Sequence, residues 1–228
     1  MTTKFNITQI FKSIQGEGRL AGVVSVFIRL AGCNLRCRWC DTAYSWPTDA
    51  GDEMAIDKII EKVKSFGCTH IVVTGGEPLI HDNLEILLAA LRNEGFHITL
   101  ETAATGYMPL SVDLMSISPK LSNSTPDGPQ GQNHEKSRLN LDALANFIDN
   151  YDYQLKFVVA NETDIAETQR IIDQLGPLQC DKVMLMPQAT DRMAYRTLAP
   201  MVANWCIEKG FTFCPRLHVE FWDKDINK

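Results

Sequence analysis

The chain has 228 residues, of which 45% are hydrophobic and 22% are charged, a composition typical of a globular protein with a sizeable core. Its net charge of −6 argues against a non-specific nucleic-acid binder, which usually carries a basic surplus. The amino terminus lacks the basic and apolar regions of a signal peptide, and no apolar run approaches the roughly 18 residues of a membrane span. We therefore expect a cytoplasmic protein with no nucleic-acid or membrane partner.

From Ser25 onward, strand-like segments alternate with helix-like segments. The strand-like segments are short and apolar, and they comprise residues 25–30, 70–78, 96–102, 113–120, 154–160, 182–188 and 211–221. The helix-like segments carry apolar residues at helical spacing, and they comprise residues 56–67, 83–95, 141–151, 164–176 and 195–210. The repeated β–α order predicts a parallel sheet in a single domain over residues 1–228.

Residues 121–138 interrupt this pattern with a polar segment rich in Gly, Pro, Ser and Asn. Structureless connections of this length are unusual and often functional, so the segment predicts a mobile surface loop or lid. A disordered insertion without a function is an equal alternative.

Polar residues cluster where the predicted strands end. They are Thr74, Gly75, Gly76, Glu77, Glu101, Thr102, Ser118, Lys120 and Gln188. The stretch CNLRCRWCDT, residues 33–42, follows the strand at 25–30 in the same way. Because the carboxyl ends of parallel strands meet at one edge of a sheet or barrel, these residues are predicted to form one site.

Cys33, Cys37 and Cys40 have the spacing C-x3-C-x2-C. Structural zinc takes four protein ligands, and no nearby cysteine or histidine pair completes such a set. Haem attachment is excluded because Asp41 stands where C-x-x-C-H has its histidine. An iron–sulfur cluster on three thiolates keeps one iron open for a small molecule, and this fits the spacing better. Four further cysteines with apolar neighbours are predicted to be reduced packing residues: Cys68, Cys180, Cys206 and Cys214.

The cysteine spacing with Trp39 before the last cysteine resembles the signature of the radical S-adenosylmethionine superfamily, and TGGEP at Thr74–Pro78 resembles its glycine-rich motif. The resemblance implies an incomplete TIM-like (β/α) barrel with parallel strands. It also implies a 4Fe-4S cluster whose open iron is chelated by the methionine moiety of S-adenosylmethionine. One electron would then cleave the sulfonium and produce a 5′-deoxyadenosyl radical that abstracts a hydrogen from the substrate.

Within that superfamily, IQGEGRLAG at residues 14–22, Arg29 and CDT at residues 40–42 are similar to the 7-carboxy-7-deazaguanine synthase family. The similarity is strong to about Glu77, extends to Lys120, and is diffuse beyond. It implies conversion of 6-carboxy-5,6,7,8-tetrahydropterin to 7-carboxy-7-deazaguanine with loss of ammonia, on the route to queuosine. It further implies Mg²⁺, a reduced flavodoxin or ferredoxin as electron donor, and a homodimer.

The resemblance assigns residues to the cofactors. Those expected to contact S-adenosylmethionine are Trp39, Cys40, Asp41, Gly76, Glu77, Ser118, Pro119 and Lys120. The metal ligands are expected to be Cys33, Cys37 and Cys40 for the cluster and Thr42 for magnesium, which prefers hard oxygen ligands. An ordinary loop threonine and a solvated surface lysine are the alternatives for Thr42 and Lys120.

The substrate residues expected by resemblance are Ile14, Gln15, Gly16, Arg29, Thr74, Glu101, Gln188 and His218. Arg29 also stands out physically, because a guanidinium on an apolar strand needs an anion. That anion is either the substrate carboxylate or an internal salt-bridge partner. Glu101 is expected to accept two N–H bonds from the pterin edge. A turn role for Gln15 and a packing role for His218 are alternatives.

Two other functions are open from sequence alone. A radical enzyme that activates a partner protein would share the cysteine spacing and would need a protein-sized groove. A non-enzymatic zinc or iron–sulfur binding module is the other alternative.

Overall fold

The computed structural model of the protein describes residues 3–225. Its strands are β1 (Lys4–Ile14), β2 (Val24–Leu30), β3 (Asp52–Ala55), β4 (His70–Gly75), β5 (His97–Thr102), β6 (Leu114–Ile117), β7 (Tyr153–Val159), β8 (Val183–Pro187) and β9 (Thr212–Phe213). Its helices are α1 (Ile56–Lys64), α2 (Leu84–Asn93), α3 (Pro129–Ser137), α4 (Leu141–Asn150), α5 (Glu162–Leu175), α6 (Arg192–Lys209) and α7 (Leu217–Trp222). No helix within residues 3–225 is long and apolar enough to cross a membrane.

The nine strands described within residues 3–225 form one sheet in the order β3-β1-β2-β4-β5-β6-β7-β8-β9. Strand β2 and the six strands from β4 to β9 run parallel, whereas β1 pairs antiparallel with both β2 and β3. The sheet order begins at β3 and ends at β9, so the sheet curves without closing. This confirms the predicted incomplete (β/α) barrel with parallel strands.

Side-chain alternation along the parallel strands separates the core from the interior of the barrel. On β2, Ile28 and Leu30 are fully buried in the main hydrophobic core, whereas Arg29 between them lines an interior cavity. On β7, Phe157 is fully buried in the same core, and its neighbour Lys156 faces the cavity. Because successive side chains of a strand point to opposite faces, one face of the sheet packs against the helices and the other face lines the cavity.

The two ends of the chain differ from the sequence prediction. Strands β1 and β3 were not predicted. Burial alternates only over the first four residues of β1, and the four residues of β3 show no alternation. The predicted extended segment at 211–221 is wrong, because it contains the two-residue strand β9 and then helix α7. The β-branched and aromatic residues there resemble a strand, yet Leu217 N–H donates to Gly16 O at 2.9 Å and Val219 packs beside Tyr195.

The prediction of a long structureless loop at residues 121–138 was also wrong in its secondary structure. The segment contains a 3-10 helix at Ser122–Ser124 and the nine-residue helix α3. Pro129 at the first turn of α3 is favourable, because its fixed φ suits that position and its missing N–H is not needed there. A low hydrophobic content concealed this helix, since its stability comes from packing rather than from an apolar stripe.

Phe147 on α4 offers a test of this core. Its side chain is fully buried, with the rings of Tyr107 and Tyr151 at centroid distances of 4.9 Å and 5.6 Å. Phe147→Ala should lower the free energy of unfolding by about 3–5 kcal/mol, because it removes apolar contacts and leaves a cavity. Ile86→Ala on the exposed face of α2 should change it by less than about 0.5 kcal/mol. Urea denaturation measures both, and equal losses would contradict this packing.

Candidate active site

A cavity of about 590 Å³ opens at the carboxyl ends of the parallel strands, on the interior face of the sheet. Every residue predicted for the site lines this cavity except Pro119, which is buried. Residues that span most of the chain, from Ile14 to His218, therefore meet in one place.

The cysteine loop, residues 33–40, follows β2 and places its three free thiols on the cavity wall. Burial raises the pKa of Cys33 to about 12 and that of Cys37 to about 11, so their thiolates need a cationic partner. Within residues 3–225, no three His, Cys, Asp or Glu side chains converge closely enough to hold one metal ion. Three thiols on one short loop are able to hold a cluster, whose irons each take one thiolate.

The turn after β4 lies directly against the cysteine loop. A Cβ on Gly76 would lie 2.0 Å from the Gly32 carbonyl oxygen and 2.8 Å from Cys33 Cβ, so only glycine fits there. The N–H of Gly76 donates to Leu30 O at 3.1 Å, and that of Glu77 donates to Gly32 O at 2.9 Å. Because these N–H groups are used within the protein, a ligand's amino group would have to bind carbonyl oxygens of the turn.

The carboxylate of Glu77 is occupied by protein donors. Its Oε1 accepts from Thr102 Oγ1 at 2.5 Å and from Leu79 N at 3.1 Å, and its Oε2 accepts from Ala103 N at 2.7 Å. Burial raises the pKa of Glu77, which these three donors oppose. The side chain thus joins the glycine turn to the end of β5, and its predicted contact with a cofactor stays a prediction.

Trp39, Ser118 and Lys120 form one side of the cavity. Lys120 Nζ donates to Ser118 O at 2.7 Å and to Ser118 Oγ at 3.0 Å, and it lies 5.9 Å from the Trp39 ring centroid. Lys120 is therefore held at the site rather than extended into solvent. This contact set weakens the interpretation of Lys120 as an ordinary surface lysine.

Asp41 and Thr42 lie just after the cysteine loop. Asp41 Oδ2 accepts from Arg216 Nη2 at 2.6 Å, which links the loop to the carboxyl-terminal part of the chain. Thr42 Oγ1 lies 3.6 Å from Cys40 Sγ, and its side chain lines the cavity. The Thr42 hydroxyl is thus a hard oxygen beside the thiol of Cys40, as a magnesium ligand near the cysteine loop would be.

A buried ion pair crosses the base of the cavity. Lys156 Nζ, on a side chain that is 3% exposed, lies 2.8 Å from Glu17 Oε2. Burial would raise the pKa of Glu17, but Lys156, Arg216 and His218 outweigh it and hold this pKa well below its usual range. Burial would likewise lower the pKa of Lys156, but Glu17 and Glu101 raise it. Both groups are therefore charged at neutral pH.

Glu101 projects into the cavity from the end of β5. Its Oε1 accepts from Gln15 Nε2 at 3.0 Å and its Oε2 accepts from Thr74 Oγ1 at 2.9 Å. Lys156 Nζ lies 4.0 Å from Oε1. The carboxylate is thus fixed in orientation by neutral donors and kept near a cation, which suits the recognition of adjacent N–H groups on a ligand.

Gln15, Gly16 and His218 meet where the amino-terminal turn contacts α7. A Cβ on Gly16 would lie 2.1 Å from His218 Nδ1, so the glycine is required by packing within the protein. His218 Nε2 lies 4.0 Å from Glu17 Oε1, and burial lowers the pKa of His218. The sequence-based reason for Gly16, close approach to a flat ring, is not the constraint that the structure displays.

Arg29 has no salt bridge to any described residue. Its Nε donates to Gln9 Oε1 at 3.1 Å, and its guanidinium lies 5.8 Å from the Phe11 ring centroid. The internal salt bridge considered from sequence is thus not observed between residues 3 and 225. A guanidinium with neutral neighbours, on the wall of a cavity, is arranged to bind an anionic ligand.

Sequence reasoning missed the two buried cations of the cavity, Lys156 and Arg216. Lys156 carries the same signal as Arg29, a cation within an apolar strand, and that signal was not used. Arg216 had none, because it lies between β9 and α7; its Nε donates to Glu17 Oε1 at 3.3 Å and its Nη1 donates to Ala189 O. Of the predicted carboxyl-terminal residues, Gln188 reaches the cavity rim and its N–H donates to Val159 O at 2.9 Å.

The Lys156–Glu17 pair predicts a pH-dependent stability. Glu17 has a folded-state pKa below its unfolded value, so the pair stabilises the fold above about pH 4.3, and this stability is lost as the pH falls further. Lys156→Met should lower the free energy of unfolding at pH 7 by about 3 kcal/mol. This value is at the lower end of the range for a broken buried ion pair, because Arg216 still pairs with Glu17 in the variant. The difference in unfolding free energy between the parent and Lys156→Met should become smaller at low pH, because Glu17 of the variant then becomes protonated and no longer leaves a buried charge without its partner.

Lys182→Met is the matched control, because Lys182 pairs with the half-exposed Asp152 at 3.1 Å. It should cost less than about 1 kcal/mol. Denaturant titrations from pH 3 to pH 8 measure both variants. A Lys156→Met deficit that is the same at every pH would show that packing, and not charge, is lost.

Comparison with known proteins gives a consistent result. The model of the radical SAM superfamily matches residues 27–117. A 7-carboxy-7-deazaguanine synthase of Halobacterium salinarum is 40% identical over 233 aligned residues, covering 95% of this chain and 90% of the relative. The enzyme of the same name from Pyrobaculum aerophilum is 36% identical over 97% of this chain and 96% of the relative.

Among solved structures, the crystal structure of QueE from Escherichia coli superposes with a TM-score of 0.71 and 24% identity, covering 92% of this chain and 93% of that chain. At this identity the structure supports the fold alone, and the curated relatives identify the family. On the strength of their identity and nearly complete coverage, this chain belongs to the 7-carboxy-7-deazaguanine synthase family of radical S-adenosylmethionine enzymes.

Proposed function

We propose that this protein converts 6-carboxy-5,6,7,8-tetrahydropterin to 7-carboxy-7-deazaguanine with release of ammonia, in the biosynthesis of 7-deazapurines such as queuosine. The observation that carries the proposal is a single cavity with three free thiols at one side and, at another, an arginine that has no ion pair with any described residue. A cluster-bound cofactor and an anionic small molecule would meet there.

The cofactors are a 4Fe-4S cluster, S-adenosylmethionine and Mg²⁺. Together, the cluster and S-adenosylmethionine supply a carbon-centred radical that is able to abstract a hydrogen atom from a C–H bond. Cys33, Cys37 and Cys40 would hold the cluster, and the Thr42 hydroxyl would supply one oxygen ligand to magnesium, which keeps its other positions for substrate and water.

The residues proposed to hold S-adenosylmethionine come from three strand ends. The carbonyl oxygen of Gly76 would accept a hydrogen bond from the amino group of the cofactor. The carboxylate of Glu77 would hold the turn in place through its bonds to Thr102 and Ala103. Lys120 is fixed by Ser118 and lies over the ring of Trp39. The remaining proposed contacts are Cys40, Asp41 and Pro119. Asp41 would contact the cofactor while its carboxylate also pairs with Arg216. Pro119 is buried, and it would contribute by shaping the turn at residues 118–120.

The proposed pterin site lies at the other side of the cavity. Arg29 would bind the substrate carboxylate with its planar pair of N–H donors. Glu101 would accept the adjacent N–H groups of the amino-pyrimidinone edge, and its orientation is supported by hydrogen bonds from Gln15 and Thr74. Further contacts are proposed from Ile14, Gly16, Gln188 and His218, which all line the same cavity.

Lys156 is proposed to tune this site electrostatically. It lies 2.8 Å from Glu17 Oε2 and 4.0 Å from Glu101 Oε1, so its positive charge is placed beside both carboxylates. The oxygens of Glu101 are hydrogen-bond acceptors, which suit the donor edge of a heterocycle. Lys156 thereby supports substrate selection without contributing a proton.

The partners proposed beyond the substrate are an electron donor and a second copy of the chain. Radical chemistry needs one electron per activation, and reduced flavodoxin or ferredoxin is the proposed source. Exposed apolar side chains on α6 and α7, namely Met193, Ile207 and Phe221, support a homodimer. A cytoplasmic location is supported by the seven cysteines, all of which are free thiols.

Two alternatives receive less support. An enzyme that activates a partner protein needs a groove open to a polypeptide, whereas this cavity has a buried Lys156–Glu17 pair at its base and the dimensions of a small molecule. A zinc-binding module needs ligands that converge on one ion, and no such group occurs in the described part of the chain.

The proposed function is tested by anaerobic reconstitution followed by a product assay with carboxytetrahydropterin. Alanine substitutions of Cys33, Cys37 or Cys40 should each abolish the broad visible absorption of the cluster and product formation, because each substitution removes the protein ligand of one iron. The parent should form one product that lacks the amino nitrogen released as ammonia.

The matched controls are alanine substitutions of the other four cysteines: Cys68, Cys180, Cys206 and Cys214. These variants should keep the visible absorption, because their thiols lie outside the cysteine loop. If one of them removed the cluster as completely as Cys37→Ala, the assignment of three ligands would be wrong. A reconstituted parent that consumes no pterin would remove the proposed substrate.

Arg29→Lys tests the carboxylate clamp. Lysine keeps the charge but not the planar fork, and the loss of a charge-assisted bond should cost roughly 1.5–3 kcal/mol of pterin affinity, about ten- to a hundredfold. The measurement pairs a pterin titration with the melting temperature of the same variant. Arg19→Lys is the control, since Arg19 forms an exposed pair with Asp152 outside the cavity, at 2.5 Å. Unchanged pterin affinity with a lowered melting temperature in Arg29→Lys would exclude the clamp.

A further inference from the structure

Residues 121–138 pack against the outer side of the cysteine loop. Two backbone donors of the loop bond to this segment: Arg36 N–H donates to His134 Nδ1 at 3.1 Å, and Arg38 N–H donates to Ser124 O at 2.8 Å. The side chain of Trp39 adds a third bond, from Nε1 to Asn123 O at 3.1 Å. All three donors lie between Cys33 and Cys40, so the segment holds the loop at the positions between its thiols.

His134 is the least expected of these contacts. Its side chain is 1% exposed, and its Nε2 lies 2.9 Å from Ser124 Oγ. The Ser124 hydroxyl donates its hydrogen to Leu121 O at 2.6 Å, so it must accept from His134 Nε2–H. His134 is then a neutral imidazole with its proton on Nε2, and its unprotonated Nδ1 accepts from Arg36 N–H. This single tautomer of His134 gives a hydrogen-bond partner to Arg36 N–H, to the Ser124 hydroxyl and to its own Nε2–H.

A buried carboxylate on α5 fastens both ends of this segment. Glu167 accepts from Ser122 N–H and from Ser122 Oγ at its start, at 2.9 Å and 2.5 Å. It also accepts from Arg138 Nη1 at 2.9 Å at its end, and Arg138 Nη1 donates to Lys120 O at 2.9 Å. The segment is thereby closed upon itself and attached to a helix whose Ile165 and Ile171 lie in the main core.

None of these groups belongs to the cavity. The lining of the cavity does not include His134, Ser124, Asn123 or Glu167. These residues therefore do not face the side of the thiols that opens to the cavity, and they do not line the proposed substrate site. His134 and Ser124 instead satisfy backbone donors of the cysteine loop, which would otherwise lose their partners in a partly buried setting, and Asn123 accepts from the Trp39 side chain.

We propose that residues 121–138 form the fixed outer wall of the cluster site, in which His134 is a positioning residue that holds the cysteine loop in its cluster-binding shape. Glu167 attaches this wall to the scaffold. The proposal rests on the proposed ligation of a cluster by the three cysteines. It adds that cluster binding also depends on residues, such as His134 and Glu167, that contact neither the cluster nor the substrate.

The test compares two substitutions of His134 that keep different halves of its hydrogen bonding. His134→Asn retains an acceptor near the position of Nδ1 and can still accept from Arg36 N–H. His134→Gln places its amide near the position of Nε2, so it keeps a partner for Ser124 and loses the acceptor for Arg36. His70→Gln, in an exposed contact at the opposite end of β4, is the control for a histidine substitution as such.

Two measurements on the full chain report the effect. The first is the rate at which the reconstituted protein loses iron to excess EDTA without oxygen. His134→Gln should lose iron about tenfold faster, as expected for about 1.4 kcal/mol, whereas His134→Asn and His70→Gln should stay near the parent rate. The second is amide hydrogen exchange at Arg36 before cluster loading, where His134→Gln should show about tenfold less protection than His134→Asn.

The outcomes separate this inference from the proposed function. If His134→Gln retains iron and Arg36 protection like the parent, the positioning role is overturned while the cysteine ligands stand. If the parent binds no cluster through the three cysteines, the ligand assignment fails, and the exchange of Arg36 still decides whether His134 orders the loop. Equal losses in His134→Asn and His134→Gln would indicate a general packing role and would also overturn the inference.

Discussion

The ion pair between Lys156 and Glu17 is the interaction on which the interior of this barrel depends. It joins the middle of β7 to the turn after β1, and Arg216 extends it to the carboxyl-terminal region by its bond to Glu17 Oε1. Charges at this depth lose their hydration, and they are tolerated because each lies within bonding distance of an opposite charge. The pair therefore brings distant parts of the chain together at the base of the active-site cavity.

The same interior shows how one sheet serves both stability and chemistry. The face toward the helices is filled by residues such as Ile28 and Phe157, which supply most of the burial that stabilises the domain. The opposite face carries Arg29, Lys156 and Glu101 at strand positions one residue away from that core. Because the core is packed by the alternate residues, the interior face can hold polar groups, provided that these groups satisfy one another.

The cysteine loop is shaped from two sides by different means. On its inner side the glycine turn packs so closely that a Cβ on Gly76 would lie 2.0 Å from Gly32 O. On its outer side, hydrogen bonds from Arg36 and Arg38 end on residues 121–138. Steric fit thus restricts the loop from the sheet, and satisfied backbone donors restrict it from the surface. A cluster bound by the three thiols would benefit from both restrictions, since its ligands would come from one short segment.

Much of this protein was predictable from local patterns. The β–α alternation from Ser25 onward predicted the parallel sheet, and the position of polar residues at strand ends predicted a common cavity. Arg29 stood out because a cation in an apolar strand has few favourable environments, and Lys156 had the same signal. The predictions of the parallel sheet and of the common cavity succeeded because side-chain alternation and strand direction follow from backbone geometry alone.

Other features depend on contacts between distant residues and had no local signal. Residues 217–222 look like a strand, yet they form α7 because the helix packs against Gly16 and Tyr195. Residues 121–138 look like a solvated loop, yet Glu167 and the backbone of the cysteine loop give them fixed partners. The sequence by itself determined the parallel part of the sheet, the clustering of three cysteines in one loop and the edge where the site lies. Only the tertiary structure decided which buried charges pair there and what supports the cysteine loop, because those choices depend on partners far apart in the chain.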